Sequence, residues 1–80
     1  MRVVAEIPHA SFKITVFSWN GKYLIKLERG PYEQTYKISE MDVLGDEGLK
    51  QILDETFINE AVGLFQQMHQ NLMAAQERAE

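Results

Sequence analysis

Between Phe12 and Gly30, apolar and polar residues alternate on either side of Asn20-Gly21. A two-residue period is that of a strand with one covered face. Asn-Gly suits the two positive-φ positions of a type I′ turn, so the spacing predicts a hairpin with these residues at its tip. In that register Trp19 faces Lys22, Phe17 faces Leu24, Thr15 faces Lys26 and Lys13 faces Glu28. One face then collects Phe12, Ile14, Val16, Tyr23, Ile25 and Leu27, the core candidates. The other carries Lys13, Lys22, Lys26 and Glu28 among Thr15, Phe17, Trp19 and Leu24. A slip of one residue would mix the two sets.

A second turn is expected near Arg29-Gly30-Pro31, followed by a third strand from Tyr32 to Ile38 with Tyr32, Tyr36 and Ile38 on its more apolar face. Two tips compete. Arg29-Gly30 places Lys26 opposite Glu33, whereas Gly30-Pro31 places Glu28 opposite Glu33; charge pairing favours the first. Residues 2–7 read as a further strand with Val3, Ala5 and Ile7 on one side, ended or held at an edge by Pro8.

After Ile38 the period changes. Ser39 is expected to cap a short helical turn, Gly45 to interrupt it, and Asp46 to cap a short helix bearing Leu49, Ile52 and Leu53. The strongest helical signal follows. Phe57, Ala61, Leu64, Met68 and Leu72 recur at three- or four-residue spacing, widened by Ile58, Val62 and Phe65. Thr56 is the expected cap, with Glu60 in the first turn. Gly63 suits a close approach of the helix to its neighbour. The polar end, 74–80, is expected to project or fray. These elements predict one compact α+β domain over 1–80: a three- or four-stranded antiparallel sheet covered on one face by C-terminal helices.

Composition narrows the functional classes. The chain has 80 residues and no cysteine, so disulfides, thiolate metal sites and cysteine nucleophiles are excluded within it. No apolar run is long enough to span a bilayer, and the first residues lack a signal-peptide pattern. A formal charge of −4 opposes a general nucleic-acid footprint. The charge is unevenly spread: residues 11–38 hold five Lys/Arg against two Glu, while 39–60 hold one Lys against seven acids.

Catalytic signatures are lacking. There is no glycine-rich phosphate loop, HExxH or GxSxG motif. His9 and His69 are far apart in sequence and are read as structural or solvent-facing. The acidic segment DVLGDEGLKQIL lacks the third-position ligand, central glycine and closing glutamate of a calcium loop, so helix caps and a solvated surface account for its acids. No metal or cofactor is implied.

Two surfaces remain. Lys13, Phe17, Trp19, Lys22, Leu24 and Lys26 form a mixed basic and aromatic outer sheet face. It would suit a protein partner, or single-stranded nucleic acid through stacking on Phe17 and Trp19 and phosphate contacts from Lys22 and Lys26. Phe65, Met68, Leu72 and Met73 would extend past a three-stranded sheet and engage a partner or a second copy. The reading is therefore a noncatalytic interaction or self-association module. Nucleic-acid binding is one alternative, and a small enzyme or ligand-binding protein using an oligomer interface is the other.

The stretch IPHASFKITVFSWNGKYLIKLERGPYEQTYKI, with its charged connection and terminal helix, resembles small uncharacterised bacterial proteins that share a hairpin region and a helical tail. The resemblance covers most of the chain. It implies the sheet-to-helix order and a bacterial, cytoplasmic setting, and brings no site residues with it.

Overall fold

The computed structural model describes residues 1–80. Four strands, β1 (Arg2–Ile7), β2 (Lys13–Trp19), β3 (Lys22–Arg29) and β4 (Tyr32–Ser39), form an antiparallel meander in the order β1-β2-β3-β4. A 3₁₀ turn (Glu40–Asp42), a short helix α1 (Gly45–Ile52) and a long helix α2 (Glu55–Ala79) complete an α+β fold.

The β2–β3 hairpin has the expected register, from Trp19 opposite Lys22 to Lys13 opposite Glu28. Asn20 and Gly21 have φ of 54° and 75°, the positive values that a type I′ tip requires. The register fixes the core face. Phe12, Ile14, Val16, Ile25 and Leu27 meet Val43, Leu49, Ala61 and Phe65 in one buried cluster, with Tyr23 half-buried at its margin.

The β3–β4 pairing corrects the expectation. Gly30-Pro31 forms the tip, so Arg29 pairs with Tyr32 and Glu28 with Glu33. Gly30, at φ 58°, occupies the first tip position, the place for glycine in a II′ turn, and proline's fixed φ suits the second. Turn geometry outweighs one exposed charge pair. The expected attraction survives diagonally, with Lys26 Nζ 3.5 Å from Glu33 Oε1.

Residues 2–7 join the sheet as its edge strand, with a correction. The register shifts between Val3 and Ala5, a bulge that leaves Val4 as the extra residue. Val4, Ala5 and Ile7 pack against the core, while Val3 lies opposite Phe17 on the outer face.

The caps move as well. Ser39 caps the 3₁₀ turn as expected, its Oγ accepting from the Met41 N–H. Leu44 precedes α1 with no side-chain cap, and Asp46 sits in the first turn instead of capping it. Asp54, not Thr56, caps α2: its Oδ1 accepts from the Phe57 N–H at 2.8 Å. The aspartate reaches the third helical residue, starting α2 two positions earlier than a Thr56 cap would.

β4 and α2 run past each other through matched spacings. The Tyr36 ring meets Phe57 edge-on at 5.3 Å, and Gln34 Nε2 donates to the Ala61 carbonyl at 3.0 Å. Four helical residues rise about 6 Å and two strand residues about 6.6 Å, so Tyr36 and Gln34 meet successive turns of α2; Tyr32, two residues further along β4, instead meets His69, eight residues past Ala61. Gly63 takes no part in this approach: a Cβ there would meet nothing within 4 Å. Gly63→Ala is therefore expected to stabilise the protein by about 0.5–1 kcal/mol, seen as a higher urea midpoint at unchanged m-value. A lower midpoint would mean that the glycine has a packing role.

α2 outruns the sheet. Its 25 residues span about 37 Å, against about 26 Å for β4 with 8 residues. The molecule measures 47 × 26 × 19 Å. No helix is long and apolar enough to cross a membrane.

Candidate interaction surfaces

The outer sheet face brings Lys13, Phe17, Trp19, Lys22, Leu24 and Lys26 onto one side of β2 and β3. They are not equally available. Trp19 is 48% exposed and Lys13 and Lys22 are exposed, whereas Phe17 and Lys26 are half-buried. Leu24 lies between Phe17 and Lys37 on the neighbouring strands and is only 8% exposed. Thr15, between Glu6 and Lys26, is buried as well. The centre of the face, at Thr15 and Leu24, is thus buried, while its margin stays open, with Trp19 48% and Val3 52% exposed.

The edge strands also change its charge. β1 adds Glu6, opposite Thr15, and β4 adds Glu33 and Lys37. Lys13, Lys22, Lys26 and Lys37 then face Glu6, Glu28 and Glu33, close to balance. The basic character read from the hairpin alone is diluted once all four strands are in place.

At the Trp19 end, the chain after β4 is pinned to the hairpin tip. The Glu40 N–H donates to the Gly21 carbonyl at 3.0 Å, and Ser18 Oγ donates to Glu40 Oε1 at 3.0 Å. Beyond this anchor Met41 and Leu44 are almost fully exposed, while Val43 between them is buried.

The second surface is the projecting half of α2. Phe65 does not belong to it: its ring is 2% exposed and packs against Phe12 with centroids 5.5 Å apart. His69 is the last α2 residue with a hydrogen bond or ring contact to the sheet, through Tyr32. Past that contact the apolar stripe continues without a covering layer. Leu72 and Met73 there are 41% and 37% exposed; before the contact, Leu64 is 43% exposed and Met68 half-buried. Residues 61–76 contain no Asp, Glu, Lys or Arg, a 16-residue gap in a chain one quarter of which is charged. A helix face built only for solvent normally carries charges. This run instead offers methionine, leucine, alanine and uncharged amides.

The third surface was not foreseen. An open cleft of about 450 Å³ lies between the β3–β4 turn and α2, lined by Arg29, Tyr32, Phe65, Gln66, His69 and Gln70. Tyr32 and His69, both in its lining, are joined hydroxyl to Nδ1 at 2.8 Å. Nothing in the sequence pairs residues 37 apart; only the crossing of α2 over β4 does. His9 has its own local partners, accepting from the Ser11 N–H and stacking on Phe12 at 4.9 Å. No three His, Asp or Glu side chains converge in a metal-holding arrangement.

No protein-family model, curated protein or solved structure matches the chain.

Proposed function

We propose that the chain is a noncatalytic self-association module in which two copies pair along the projecting half of α2. The observation that carries this reading is the charge-free run 61–76, in which Leu64 is exposed beside the last buried anchor and Leu72 and Met73, each more than a third exposed, lie beyond the helix's last contact to its own sheet. A small domain buries a limited share of its surface, and pairing adds apolar burial that one copy lacks. A two-fold arrangement would set the same uncharged segment against itself, with no like charges in contact. The net charge of −4 on each copy opposes association at long range, so added salt should strengthen pairing by screening.

Sedimentation velocity over a concentration series tests this. The expected result is a reversible shift from 9.2 kDa to twice that mass, stronger at 0.3 M than at about 0.03 M salt. Leu72→Glu places a charge in the stripe without touching the buried core and should weaken pairing at least ~10-fold while leaving the circular dichroism unchanged. A single 9.2 kDa species up to ~1 mM, the concentration at which a weak dimer forms, would reject the reading. A dimer indifferent to Leu72→Glu would move the interface off the helix.

A further inference from the structure

We infer that the cleft between the β3–β4 turn and α2 is a binding site for a small planar monocarboxylate, held by Arg29 and His69 over an aromatic floor. Its volume of about 450 Å³ lies within the range of small-molecule sites. Three observations fix the ligand class.

The first is charge. Arg29 is the only residue with a permanent charge that lines the cleft. It pairs with Tyr32, which places it on the α2 side of the sheet, and it makes no ion pair. Its sequence neighbour Glu28 and the facing Glu33 lie on the opposite side, Glu33 being held by Lys26. The α2 wall contributes no acid, because 61–76 is free of charge. In a protein of net charge −4, this is a local positive pocket whose cation is available to an anion.

The second is hydrogen bonding. Tyr32 Oη and His69 Nδ1 share a hydrogen bond at 2.8 Å, and in the tautomer that accepts from the hydroxyl the ring carries its hydrogen on Nε2, free to donate to an anion. Gln66 and Gln70, one helical turn apart, add amides that both donate and accept. A guanidinium presents paired donors matched to a carboxylate.

The third is the floor. The Tyr32 and Pro31 rings give the cleft apolar surface beside its polar groups, while Phe65, 2% exposed, contributes little of it. A bare inorganic anion would leave these unused. A flat acid uses both parts, its carboxylate at Arg29 and its apolar body against the rings.

The test is an NMR titration of the whole protein with sodium benzoate, and with benzamide as the uncharged isostere. Saturable shifts are expected at Arg29, Tyr32, Gln66, His69 and Gln70, with half-saturation by benzoate at or below ~10 mM. Benzamide should bind at least ~10-fold more weakly. Arg29→Ala, at an exposed strand end, should reduce benzoate affinity at least ~10-fold. Lys37→Ala removes the same charge from the outer face and should leave binding unchanged. Equal binding of benzamide, equal loss in both alanine variants, or no saturable shift at these residues by ~100 mM benzoate would each overturn the assignment.

Discussion

Phe65→Ala should destabilise the protein by about 3–5 kcal/mol, the usual range for truncating a buried phenylalanine. The location puts the expected value in the upper part of that range. Phe65 is almost fully buried, touches Phe12 just before β2, and is the last buried anchor of α2 before the helix leaves the sheet. The void would open beneath a helix that has few other fully buried residues, only Ala61 besides Phe65. An 80-residue domain has a total stability of about 4–12 kcal/mol, so this single change removes a large share. Urea unfolding followed by circular dichroism is the measurement. A loss below ~1 kcal/mol would mean that α2 is not held to the sheet at this point.

The second large effect is expected at Gln34. It is a polar side chain on the core face of β4, 9% exposed, and both ends of its amide are used. Nε2 donates to the Ala61 carbonyl at 3.0 Å, and Oε1 accepts from the Tyr36 hydroxyl at 2.7 Å. Gln34→Ala removes both bonds, leaves the Tyr36 hydroxyl without this acceptor and opens a small void, costing about 2–3 kcal/mol. Tyr36→Phe alone should cost about 0.5–1.5 kcal/mol. The double variant should lose less than the sum, because Tyr36→Phe removes the hydroxyl that Gln34→Ala leaves unpaired, and both single changes break the same bond. Additivity within ~0.3 kcal/mol would show that the two side chains act independently.

Much of the sheet was legible because its information is local. Asn20-Gly21 sets a turn, the turn sets a register, and the register assigns every β2 and β3 residue to a face. At the β3–β4 register a single ion pair points one way and a glycine at a tip position the other, and the glycine decides. Both alternatives keep the apolar face of β4 inward, so face polarity could not arbitrate. The bulge in β1 escaped because Val3 and Val4 are equally apolar, and alternation cannot tell which one turns outward. Asp54 and Thr56 are both good caps two residues apart, and propensity alone does not rank them.

The candidate surfaces were legible in proportion to how local they are. Trp19 beside Lys22 follows from the hairpin. The burial of Leu24 and the arrival of Glu6 and Glu33 depend on the edge strands, which decide how much of a half-open face remains accessible and what charge it carries. Gln34 lay hidden among tyrosines on an apolar face, since a lone amide there has no signature until its acceptor is known. The cleft is the least local feature, because its walls come from a turn near residue 30 and a helix near residue 66. The unbroken absence of charge over 61–76 was the one cue available from the chain itself, and it reads as a signal only when α2 is seen to outrun the sheet.

The meander divides the conformational entropy of assembly unequally. Each strand pairs with its neighbour in sequence, and both β2–β3 and β3–β4 close through two-residue tips. Gln34 with Ala61 and Tyr32 with His69 instead span 27 and 37 residues. Loop-closure entropy grows with the logarithm of loop length, so bringing α2 back over the sheet, where Phe65 reaches Phe12 as well as β4, is the most demanding closure in the chain. The contacts that seat Phe57, Ala61 and Phe65 must offset that cost, whereas the residues beyond His69 remain tethered to the sheet only through the helix that carries them.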